Sequence, residues 1–120
     1  MKPEEQLHRA CVQLLWVYEA FGRLTFAHCP NGERRDAATG GRLKAMGVRA
    51  GVPDLLIWPN GGNHFGVELK AGKGGLSPSQ VIWHSTLASM GHRVYIVRTV
   101  GELEEALRTE GIPAIGRVSA

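Results

Sequence analysis

Glu68 and Lys70 stand two residues apart in the run from His64 to Ala71, whose apolar content and flanking turn residues read as a β-strand. Side chains alternate along a strand, so this carboxylate and this ammonium project from one face while Val67 and Leu69 project from the other. Asp54 opens a second short apolar run, Asp54-Leu55-Leu56-Ile57-Trp58, and Pro59-Asn60-Gly61-Gly62-Asn63 between the two runs is a strong turn signal. A hairpin follows, and antiparallel pairing across it brings the Asp54 carboxylate towards Glu68. Two converging carboxylates are costly without a cation between them. A divalent ion such as Mg²⁺, bound through oxygen ligands, waters and a substrate phosphate, removes that cost. The chemistry such a set suits is phosphodiester hydrolysis, in which Asp54 and Glu68 hold one or two metal ions and Lys70 positions or deprotonates the water and balances charge at the phosphate. A Glu-x-Lys pair alone is a weak signal and equally describes an ordinary surface hairpin.

The elements that must position these residues follow from periodicity and punctuation. Leu7, Cys11, Leu14, Leu15 and Tyr18 repeat at helical spacing, with Pro3 in a first turn and Gly22 just past the end, which predicts a helix from Pro3 to Phe21. Arg23 to Cys29 suits a first strand, stopped by Pro30-Asn31-Gly32. Asp36 to Met46 can form a short helix ending at Gly47, weakened by Gly40-Gly41. Gly72 to Leu76 is a glycine-rich loop. Ser77-Pro78-Ser79-Gln80 then opens a helix to about Met90, with Ser77 as cap and Gln80 closing a capping box. Arg93 to Thr99 reads as a buried strand and Glu102 to Thr109 as a final helix. A strand, a helix and another strand imply a parallel crossover. The expected class is α/β with a mixed central sheet, and 120 residues make one domain of 1–120.

Charge is placed unevenly. Between Glu33 and Arg49 five basic residues (Arg34, Arg35, Arg42, Lys44, Arg49) face two acids (Glu33, Asp36), an excess equal to the whole formal net charge of +3. Such a cluster suits a polyanion such as DNA, although a solvated helix face has the same composition. Lys73 sits in the glycine-rich loop, which does not match a phosphate-binding Walker loop and is expected to be a rim against the DNA backbone. No apolar run approaches the length of a membrane span and the polar start does not resemble a secretion signal, so a cytoplasmic protein is expected. Cys11 and Cys29 lack the spacing of a zinc or redox motif and are expected to be buried, reduced thiols. Trp16, Trp58 and Trp83 are expected in the core. His28 is expected to pack or hydrogen-bond locally, and His8, His64, His84 and His92 show no zinc-ligand spacing.

Taken together, Pro30-Asn31, the run Leu43-Lys44-Ala45-Met46-Gly47-Val48-Arg49-Ala50-Gly51-Val52-Pro53-Asp54-Leu55, Glu68-Leu69-Lys70, and Leu76-Ser77-Pro78-Ser79-Gln80 followed by Trp83 resemble the VRR-NUC domain, a branch of the PD-(D/E)XK nuclease superfamily. The resemblance covers nearly the whole chain. It implies a restriction-endonuclease-like core in αβββαβ order, a Mg²⁺- or Mn²⁺-dependent endodeoxyribonuclease, metal-binding acids at Asp54 and Glu68, a catalytic Lys70 and a supporting Gln80, with the Leu69 backbone carbonyl as a further ligand. The family also places an acid on its first helix. Glu4 shares the inward face of Leu7, Cys11 and Leu14, whereas Glu5 points about 100° away, so Glu4 is assigned that role, although an acid near a helix N-terminus also has a purely structural reason to be there. Gln80 has a structural competitor too, its part in the capping box. Small free-standing, often phage-encoded members look like homodimeric nucleases of branched DNA such as four-way junctions, with the first helix and the basic segment as candidate dimer contacts. The alternative is a catalytically silent DNA-binding module of the same fold.

Overall fold

The computed structural model describes residues 1–30 and 37–116, so Arg34, Arg35 and Asn31 lie outside the described residues. Its elements run α1 (Pro3–Ala20), β1 (Leu24–His28), α2 (Ala37–Ala45), β2 (Leu55–Pro59), β3 (Phe65–Leu69), α3 (Pro78–Ser89), β4 (Val94–Val97) and α4 (Val100–Thr109). Every predicted helix and strand is present, with boundaries displaced by one or two residues. The final helix begins two residues earlier than predicted, because Thr99 caps it: its hydroxyl accepts from the Glu102 amide at 3.1 Å.

The four strands form one mixed sheet in the order β1-β2-β3-β4. β1 pairs antiparallel with β2 and β2 antiparallel with β3, while β3 and β4 are parallel, joined through α3. This is a mixed α/β architecture with flanking helices, consistent with a nuclease-like fold. α1 and α4 bury Cys11, Leu15, Tyr18, Leu103 and Leu107 against Leu55, Ile57, Phe65, Val67 and Leu69 of the central strands. The opposite face is covered more thinly: α3 has no fully buried residue.

α4 is fastened to β4 by a polar knot. Arg93 Nε donates to Glu110 Oε2 at 2.5 Å, its Nη2 donates to Oε1 at 2.7 Å, and the Tyr95 hydroxyl donates to Oε2 at 2.5 Å. The hydrogen bond from Arg93, then that from Tyr95, hold the Glu110 carboxyl below its usual range against the effect of burial.

Two expectations about the core need correcting. Trp16 is 56% exposed and Trp58 42% exposed, and Trp83 is only half-buried. Trp16 rides over the free edge of the sheet at Phe26, and Trp58 projects from the face opposite Ile57, so neither is enclosed. Cys11 is buried, with its thiol pushed up to about 11 by that burial, whereas Cys29 at the end of the edge strand is half-buried; both are free thiols.

Candidate active site

The hairpin register pairs Leu55 with Val67, so one step outward Asp54 faces Glu68 across the ladder. Cross-strand partners share a face, and this face lies away from α1 and α4, on the side of α3. Glu68 is 1% exposed and, among the described residues, is the one charged side chain in the buried set. Both of its oxygens are held from α3: Gln80 Nε2 donates to Oε2 at 3.1 Å and His84 Nε2 lies 3.2 Å from Oε1.

Gln80 therefore has two roles at once. Its backbone N–H donates to the Ser77 hydroxyl at 3.3 Å and its side-chain oxygen accepts from the Ser77 amide at 2.8 Å, closing the capping box, while the amide nitrogen of the same side chain reaches Glu68. The cap orients the carboxamide and the free end of that carboxamide orients the acid. His84 follows one helical turn later, at i+4 on the same face of α3. Its contact with Glu68 was not anticipated, although the spacing from Gln80 was visible in the sequence.

Burial pushes the Glu68 carboxyl up to about 9, and the hydrogen bond and charge of Asp54 push it the same way; Lys70 pulls it down and Glu4 adds a small upward push. Burial also holds His84 below its usual range, with Asp54 opposing and Lys70 assisting. Burial thus disfavours charge on both partners of the His84–Glu68 contact. The two partners' shifts agree in placing the Lys70 ammonium beside this pair.

Asp54 is held by its backbone and its side chain. Its Oδ2 accepts from the Leu69 amide at 2.7 Å, and its carbonyl accepts from the Cys29 amide at 2.8 Å and lies 2.8 Å from His28 Nδ1. His28 thus hydrogen-bonds locally, as expected. The approach to Asp54 explains the Gly-Val-Pro that precedes it. Gly51 has φ +92°, and a Cβ there would sit 2.5 Å from the Ser79 carbonyl oxygen in the first turn of α3; Pro53 packs onto Gly66 of β3. The loop is wedged between α3 and the hairpin, with the Arg49 guanidinium 4.6 Å over the Trp83 ring.

The other expected site residues are placed as follows. Glu4 is exposed on the first turn of α1, close enough for its charge to act on both Glu68 and His8, while Glu5 turns outward to pair with Arg9 at 3.1 Å. Among the described residues no three His, Cys, Asp or Glu side chains are grouped as a metal cage, so Glu4 is not drawn together with Asp54 and Glu68. What is drawn together is a pair of carboxylates with backbone amide and carbonyl groups beside them. A hard, oxygen-seeking divalent ion that keeps several waters fits this donor set, and a fully protein-ligated zinc site does not. A buried acid whose charge is disfavoured, with a second carboxylate facing it, is the same signature read electrostatically. Arg42, Lys44, Arg49 and Lys73 are exposed. A cavity of about 640 Å³ lies elsewhere, at the far end of the sheet around Arg23, Asn60, Arg93 and Glu110.

A family model described as the VRR-NUC domain matches residues 3–101. The chain belongs to the VRR-NUC family. That span contains Asp54, Glu68, Lys70 and Gln80, and it makes the protein a nuclease-type, DNA-binding domain. VRR-NUC membership also implies a family in which metal dependence is typical. Comparison with curated proteins gives no match, and comparison with solved structures gives none. Among the described residues no helix of this VRR-NUC domain is long and apolar enough to cross a membrane.

Proposed function

We propose that this VRR-NUC domain is a Mg²⁺- or Mn²⁺-dependent endonuclease that hydrolyses phosphodiester bonds in branched DNA such as four-way junctions, and that it works as a homodimer. The observation that carries the reading is the buried Glu68 carboxyl facing Asp54 across the hairpin, beside Lys70. In this reading Asp54, Glu68 and the Leu69 carbonyl hold the ion, with Glu4 contributing from α1 through its charge. The bound ion supplies charge neutralisation at the phosphate and lowers the pKa of a bound water. The chain's own residues do the rest. Gln80 and His84 fix the Glu68 carboxylate so that it points at Asp54, and the Leu69 amide fixes the Asp54 carboxylate. Lys70 orients the attacking water and offsets negative charge growing on the phosphate oxygens. Exposed Arg42, Lys44, Arg49 and Lys73, with Arg34 and Arg35, supply cations for neighbouring phosphates.

The test is cleavage of a labelled panel containing a four-way junction, a flap and a plain duplex, with Mg²⁺ and Mn²⁺ in turn. Asp54→Asn keeps volume and removes ligand charge, and is expected to cut at least roughly 10²-fold more slowly, equivalent to about 2.7 kcal/mol of barrier. It should still bind DNA. Binding without metal-dependent cleavage by the parent protein would favour the silent DNA-binding module, and undiminished cleavage by Asp54→Asn would remove the site.

A further inference from the structure

Trp16 was expected in the core, and instead it forms with Phe26 one wall of an open groove. The groove, about 520 Å³, runs between α1 and the free edge of β1, and is lined by His8, Arg9, Val12, Trp16, Phe26 and His28 among others. Trp16 and Phe26 meet edge to face with ring centroids 4.8 Å apart, so the Trp16 ring is propped in place while 56% of the residue stays exposed. At the other end His8 and His28 meet at 4.3 Å, also edge to face. That end abuts the carboxylate site, because His28 Nδ1 is 2.8 Å from the Asp54 carbonyl.

We propose that this groove receives an unpaired base of the DNA strand being cut, stacked on Trp16, a few nucleotides from the scissile phosphate; the proposal rests on the nuclease reading above. The eight residue steps from His8 to Trp16 span about 12 Å of helix, a distance that a strand covers in a few phosphates. A propped, half-open aromatic ring is what a sequence-tolerant base platform requires, because every base has a flat face to stack; Arg9 on the rim, paired in the free protein with exposed Glu5 at 3.1 Å, can turn from that weak surface pair to a phosphate. A second protein copy is the weaker occupant, since a stable interface needs roughly 800 Å² from each partner and the exposed apolar part of this groove is little more than one indole. Branched and flapped substrates carry unpaired bases where a continuous duplex has none, so the groove would set the preference among DNA structures.

The experiment uses full-length Asp54→Asn protein, so that binding is read without cleavage, and two DNAs of equal length, one fully paired and one with a short unpaired segment carrying 2-aminopurine. Trp16→Ala on this background is expected to weaken binding to the unpaired-segment DNA by about tenfold or more, the size of one lost base–aromatic stack, and to abolish the quenching of 2-aminopurine. Affinity for the paired duplex should be unchanged, and Trp16→Phe should restore most of the loss. Equal effects on both DNAs, or none on either, would overturn the proposal. So would a Trp16→Ala protein that loses only a dimer by light scattering, which would give the groove to a second copy. Selective loss in a protein whose parent form cuts nothing would uphold the groove and refute the nuclease reading; normal cutting without selective loss would do the reverse.

Discussion

Glu68 is a carboxyl whose charge the fold disfavours, burial and Asp54 outweighing Lys70, and that has a measurable consequence for stability. Its folded value of about 9 lies far above the 4.5 of an unperturbed glutamate. A group raised in this way contributes fully to stability below its unfolded value, and the contribution is lost as pH rises towards the folded one. Metal-free protein in EDTA should therefore melt at progressively lower temperature from about pH 5 to pH 9. Glu68→Gln imitates the protonated acid: its oxygen can accept from Gln80 and its amide can face His84 and Asp54. The variant is expected to melt at least as high as the parent at pH 7 in EDTA, with a flatter pH dependence, while losing metal-dependent cleavage. A lower melting temperature for the variant at pH 7 would show that the buried carboxyl is ionised. Asp54, Glu68 and Lys70 were legible because strand alternation and turn length are local rules. His84 was not, since a lone histidine on a helix means nothing until the opposite strand is known.

At the scale of elements, the punctuation was legible and the coverage was not. Caps, prolines and turn glycines act within a few residues, so Ser77-Pro78-Ser79-Gln80 predicted both the start of α3 and its capping box. How much of a helix the sheet covers depends on strand order, which no local signal carries. β1 proved to be an edge, which left Trp16 outside, and α3 packs without a fully buried residue. Gly51 is the element-scale contact most open to test. It combines a left-handed backbone with a Cβ path blocked by the Ser79 carbonyl, whereas Gly22, at φ +71°, has open space around it. Gly22→Ala isolates the backbone strain, about 1–2 kcal/mol. Gly51→Ala adds displacement of the loop from α3, for a total of about 2–5 kcal/mol. Thermal melts of the two variants should differ accordingly. Gly51→Ala should also cut more slowly than its stability loss explains at temperatures where it remains folded, because Asp54 is carried on the displaced loop. Equal melting temperatures for the two would show that the wedge contributes nothing.

For the whole molecule, the proposed homodimer makes an independent prediction. One site cuts one strand, and a four-way junction presents two equivalent strands about an approximate two-fold axis. An isologous pair of subunits matches that symmetry. The surface has apolar residues to spare for such a contact: α3 exposes Val81 and Ile82, at 51% and 66%, and Met90 beyond its end is 68% exposed. α3 thus joins the first helix and the basic segment as a candidate contact, a point the sequence could not supply because which apolar residues of a helix stay uncovered depends on how it packs on the sheet. Val81→Asp with Ile82→Asp should convert the dimer to a monomer by light scattering at assay concentration, and should replace paired cuts in a junction by single nicks. Mixing active subunits with excess Asp54→Asn subunits gives the complementary measurement. In a dimer the heterodimers nick one strand only, so paired cutting falls with the square of the active fraction while total strand cleavage falls in simple proportion to it. A protein that is strictly monomeric at assay concentration and still makes paired, symmetric cuts, with both products falling in simple proportion on mixing, would eliminate the dimer.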